Sequence, residues 1–118
     1  MHSSRLLDHF QNPRNVGELP PPALVVEVSN PICGDILKLW VQWEADRVAQ
    51  VRFKTRGCAA AIAMGSALTE WMVGKTRAEL AAATAQLLEQ QVGGLIPESK
   101  HAAVLANDAV RQVSRPAL

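Results

Sequence analysis

The stretch that most constrains this chain runs from Val51 to Met72, VRFKTRGCAAAIAMGSALTEWM, where an alternating run passes through Arg56-Gly57 into a helical pattern opening at Cys58. Alternation fits a half-buried strand and recurrence every three to four residues fits a helix, so the stretch predicts a strand-to-helix turn with a thiol on it. The first N–H groups of a helix lack partners within it, and the helix dipole leaves partial positive charge there, which suits a negatively charged sulfur. Lys54 and Arg56 add positive charge nearby.

The second cysteine, Cys33, comes before a pair of alternating runs. In ILKLWVQW, Leu37, Leu39, Val41 and Trp43 share a face; in VAQVRFKT, Ala49, Val51, Phe53 and Thr55 do the same, with Lys38, Gln42, Gln50, Arg52 and Lys54 opposite. Glu44-Ala45-Asp46-Arg47 reads as the hairpin connection. Directly opposed residues of an antiparallel pair share a face, so odd positions face odd ones. Cys33 and Cys58 each fall within one residue of facing the other at the open end of the hairpin, where strands lie roughly 5 Å apart. Asp35 points to the side of Cys33 where the chain is extended, so three potential metal ligands converge.

With 118 residues, 48% of them hydrophobic, the chain is expected to form one domain with a real core, spanning 1–118. A net charge of +1, no run of like charges and 4% aromatic residues argue against a nucleic-acid surface. No apolar run has the length of a signal peptide or a bilayer span, so a cytoplasmic protein is expected. In a reducing cytosol, two cysteines brought together suit a metal or catalytic pair better than a structural disulfide.

Ser3 or Ser4 is placed to cap a docking helix through Leu6, Leu7 and Phe10 that ends at Asn12-Pro13, with His9 on its surface or half-buried. Pro20 to Pro22 lead stiffly into a strand over Ala23 to Ser29, and Asn30-Pro31 turns the chain into Ile32-Cys33-Gly34-Asp35. Beyond Cys58, Ala61, Met64, Leu68, Trp71 and Met72 recur at helical spacing up to Gly74. Thr76-Arg77-Ala78-Glu79 fits a capping box, Thr84 to Val92 a short helix stopped by Gly93-Gly94, and Pro97 with Ser99 the start of a last helix carrying Leu105, Ala109 and Val113 inward. Three strands followed mainly by helices make an α+β domain.

The segments DHFQNPRNVGEL, NPICGD, FKTRGCAAAIA, TEWMVGK and KHAAVLANDAV, from about Leu7 to about Val110, resemble the iron-sulfur cluster assembly scaffolds of the IscU type and the NifU N-terminal domain. That resemblance implies a three-stranded antiparallel sheet packed by helices, with cluster or zinc ligands gathered at one exposed end. It implies a non-enzymatic scaffold that receives sulfur from a cysteine desulfurase and passes a transient iron-sulfur cluster, of 2Fe-2S type for example, to acceptor apo-proteins. The implied ligand set is Cys33, Asp35, Cys58 and His101. The family's third cysteine follows the histidine, where this chain has Ala102, and Ile96 stands where a second proline is usual between Leu95 and Pro97. Chaperone hand-off is therefore the least supported of the implied partnerships.

Plainer readings stand beside these. Free cysteines are often small buried hydrophobes, Asp35 after a glycine fits a turn cap, and His101 near a helix start fits a surface histidine. A redox dithiol lacks the usual C-x-x-C spacing. Clusters are normally held by thiolates, so two cysteines need help from Asp35 and His101, whereas zinc accepts two sulfurs, an imidazole and a carboxylate. A zinc-binding structural or regulatory partner of the sulfur-transfer machinery is the alternative function.

Overall fold

The computed structural model describes residues 3–32 and 34–115. Ser3 Oγ accepts from Leu6 N–H, and helix α1 (Ser4–Gln11) ends at Asn12, immediately before Pro13. Its inward face is not the expected one. Leu6 and His9, three residues apart, are buried, while Leu7 and Phe10 are 43% and 39% exposed. A helix this short presents one narrow stripe, and the stripe here follows His9 to its hydroxyl partner Ser66 rather than the larger apolar side chains.

Strands β1 (Leu24–Ser29), β2 (Ile36–Glu44) and β3 (Arg47–Arg56) form one antiparallel sheet in that order. Leu37 opposes Thr55, Leu39 Phe53 and Val41 Val51, so odd positions face odd ones as the alternation requires. The register slips between Gln42 and Trp43, and Ala45 turns the hairpin with a φ of 55°. Val26, Val28, Leu37, Leu39, Val41, Val51 and Phe53 line the inner face and join the core. Trp40 sits on the opposite face and is also buried, with Lys38 Nζ 5.0 Å from its ring centre.

The outer edge of β3 is covered at both ends. Phe53 N–H donates to Asn15 O and Gly17 N–H to Phe53 O at one end; Gly74 N–H donates to Val48 O and Val48 N–H to Lys75 O at the other. Helix α2 (Ala59–Met72) lies across the sheet and is apolar on most sides, with Trp71 only half-buried. A Cβ at Gly65 would lie 2.6 Å from the Phe53 ring, so the glycine permits this close crossing.

Thr76 and Glu79 form the expected capping box on α3 (Arg77–Ala81), and Thr84 caps α4 (Ala85–Gln90). Gly93 and Gly94, at φ 74° and 99°, release the chain into a 3-10 turn (Pro97–Ser99) and then α5 (Lys100–Ser114). Leu105, Ala109 and Val113 of α5 are buried. Helices α2 and α5 thereby cap the open end of the β2–β3 hairpin with their N-terminal turns.

Candidate metal centre

Cys58 is the N-cap of α2, in extended backbone, and its side chain makes no capping hydrogen bond, so the thiol points away from the helix and is exposed. Asp35 directly precedes β2, and its carbonyl accepts from Asn30 N–H at 2.8 Å, which closes the turn between β1 and β2. His101 is in the first turn of α5. These three residues come from separate elements and meet at one place. His101 Nε2 lies 3.1 Å from Asp35 Oδ2 and 3.9 Å from Cys58 Sγ, and all three donor atoms fall within 4.8 Å of one another. Asp35 is buried, His101 half-buried and Cys58 exposed, so the cluster opens to solvent on its sulfur side. Cys33, the fourth residue expected here, lies outside the described residues.

The donors suit a metal ion. Bonds of about 2.0 to 2.3 Å in a tetrahedral site set neighbouring donors about 3.3 to 3.8 Å apart, close to the spacings seen. The hydrogen bond between His101 Nε2 and Asp35 Oδ2 occupies the position an ion would take, since metal binding replaces the ligand proton. Sulfur, imidazole nitrogen and carboxylate oxygen together span soft to hard ligands, a set that zinc and iron both accept.

A family model described as the NifU-like N terminal domain matches residues 1–114. The chain belongs to that family. Among NifU-like relatives, the protein named iron-sulfur cluster assembly scaffold protein IscU 1 of Archaeoglobus fulgidus is 41% identical over 112 residues, covering 95% of this chain and 73% of its own. The scaffold protein IscU of Azotobacter vinelandii is 36% identical over 118 residues, covering 97% and 91%. The solved N-terminal part of a nitrogen-fixing NifU-like protein from Brucella abortus superposes with a TM-score of 0.65 at 25% identity, covering 94% of this chain and 78% of that one. A crystal structure of a Fervidobacterium islandicum protein shares the fold at a TM-score of 0.76, 18% identity and coverage of 97% and 96%.

Two features of the NifU-like site were not read from the sequence. The β2–β3 register carried one step past Ile36 and Arg56 sets Asp35 opposite Gly57, and a Cβ at Gly57 would lie 2.7 Å from the Asp35 carboxyl. The bare backbone at Gly57 makes the room in which that carboxylate is buried. Extending the strand pairing to the junction is the signal that finds it. Lys54 is the other case: it pairs with Glu18 at 2.8 Å on the outer face of the sheet, so it is engaged away from Cys58.

Position 102, next to His101 in the chain, faces inward. Ala102 is 2% exposed and belongs to the core. One residue along a helix turns the side chain by about 100°, enough here to move from the rim of the centre into the packed interior.

Proposed function

We propose that this NifU-like chain, as a single domain over 1–118, is a scaffold on which an iron-sulfur cluster is assembled and released, with Cys33, Asp35, Cys58 and His101 as ligands. The observation that carries the reading is the meeting of Asp35, Cys58 and His101 donor atoms within 4.8 Å at one exposed end. Its membership of a family whose relatives are named as iron-sulfur cluster assembly scaffolds supports the same reading.

The role is that of a carrier and not of an enzyme. Iron and sulfur are cargo here: the thiol binds soft iron, while the carboxylate, a hard and weaker ligand to such a centre, allows departure. A solvent-facing sulfur is reachable by a cysteine desulfurase that donates sulfur and by apo-proteins that accept the finished cluster, for which a 2Fe-2S form fits the small ligand set. Exposed Ile32 and the shallow pocket of about 210 Å³ beside His101, lined by Pro31, Val104 and Leu105, fit a surface that partners cover transiently. Among the described residues no helix is long and apolar enough to cross a membrane, which suits a cytoplasmic setting.

Ala102 favours a second reading, in which the centre holds zinc and the protein is a structural or regulatory partner of sulfur transfer. Anaerobic reconstitution with ferrous iron and sulfide separates the two. The scaffold reading expects visible charge-transfer absorption and activation of an apo-ferredoxin; a colourless protein that retains zinc supports the second reading.

A further inference from the structure

His101 belongs to a helix whose start is not held by its own cap. Neither Ile96, which opens the 3-10 turn, nor Ser99, which opens α5, makes a side-chain capping bond. The segment before them contains two consecutive left-handed glycines, Gly93 and Gly94. Such a segment has few local constraints. Ser3 and Arg5 hold its near end through Val92 O and Gln90 O, and α4 constrains its far end. Glu89 Oε2 accepts from Leu95 N–H at 3.1 Å and from the Lys100 ammonium at 2.6 Å, and the Glu89 carbonyl accepts from Gly94 N–H at 3.1 Å. Its side chain is 17% exposed, and Leu95, which it holds, is buried.

We infer that Glu89 is a positioning residue for the metal centre: one carboxylate closes the neck of the loop between α4 and α5 and so fixes the turn that presents His101 to Asp35 and Cys58. It has a second effect. Lys100 is adjacent to His101 in the chain, and its ammonium is drawn onto the Glu89 carboxylate, which ties the first turn of α5 to α4. The hydrogen bond from Lys100 holds the Glu89 carboxyl below its usual range, so the group stays charged through neutral pH. The inference rests on the reading of Asp35, Cys58 and His101 as metal ligands.

Titration of the metal-free protein with Co²⁺, followed by thiolate-to-cobalt and ligand-field absorption, tests it. Groups bonded directly to a metal ligand are typically worth about 10- to 100-fold in affinity; Glu89 acts one step further out, through Leu95 and Lys100, so Glu89→Ala is expected to weaken binding by about 3- to 10-fold while the band positions of the saturated site stay unchanged. Glu89→Gln keeps an acceptor for Leu95 N–H and is expected to lose less. Lys100→Met, altered at an exposed side chain, is expected to fold and to weaken binding measurably by itself. Glu79→Ala, which removes the capping box of α3 away from the centre, controls for general destabilisation and is expected to leave Co²⁺ affinity unchanged. Affinity within about twofold of the parent in both Glu89→Ala and Lys100→Met would overturn the positioning role, as would an equal loss in Glu79→Ala. If His101→Ala leaves Co²⁺ binding unaltered, the ligand assignment itself is wrong and the role of Glu89 falls with it.

Discussion

At His9 two donors meet one ring nitrogen: Ser66 Oγ lies 2.7 Å and Arg14 Nη1 3.2 Å from Nδ1. Arginine only donates, so Nδ1 keeps its lone pair and the ring proton sits on Nε2, facing Glu70 at 3.6 Å. Burial first, and then the Arg14 charge, hold the imidazole below its usual value of about 6.5, against smaller opposing pulls from Glu70 and Asp8. The unfolded chain therefore binds this proton at higher pH than the folded one. The stability from a neutral His9 is complete above about pH 6.5 and is lost as pH falls through that value towards the depressed one. Urea midpoints are expected to drop between about pH 7.5 and about pH 5.5, with a smaller drop in His9→Gln. An equal drop in both proteins would show that another group is responsible. At Asp35 the expectation concerns release: in the proposed centre its oxygen would be the hard ligand among softer donors, so Asp35→Ala is predicted to lengthen the lifetime of a reconstituted cluster, followed by visible absorption. Faster decay in that variant than in the parent would remove the leaving-ligand role.

Strands and caps were legible at the scale of elements because their signals are local. The alternation of Leu37, Leu39 and Val41 against Val51 and Phe53 fixes their pairing, and Thr76 with Glu79 announces a helix start that the structure contains. What stayed hidden depends on a partner element: the buried stripe of α1 is chosen by Ser66 of α2, and the slip at Gln42 and Trp43 has no local signature. Gly65 belongs to the hidden class, since only the crossing of α2 over Phe53 requires it. Gly65→Ala forces a methyl against the Phe53 ring and is expected to cost about 1 to 3 kcal/mol, read from denaturant unfolding. No measurable loss would mean that helix and sheet move apart freely. Ala102→Cys belongs here as well. Because Ala102 is core, the substitution is expected to lower stability by about 1 kcal/mol or more, in contrast with the near-neutral change that an exposed position would give. A parental unfolding midpoint would show that the α5 interface has room for a sulfur.

For the molecule as a whole, the register that pairs β2 with β3 also carries Asp35 and the neighbourhood of Cys58 to the same end, which is why these two, with Cys33, could be read from local spacing. His101 could not be read that way. It reaches the centre by the return of α5 across the sheet, a long-range event, and only the family resemblance marked it. The fold thus delivers three chemically different donors from the start of β2, the N-cap of α2 and the first turn of α5 to one solvent-facing corner. Metal content tests this account most directly. Aerobically purified protein is predicted to carry about one zinc per chain, as a four-ligand site would, and Cys58→Ser to lose most of it, by plasma emission analysis of gel-filtered samples. Zinc content that is unchanged in Cys58→Ser, or absent from the parent protein, would contradict it.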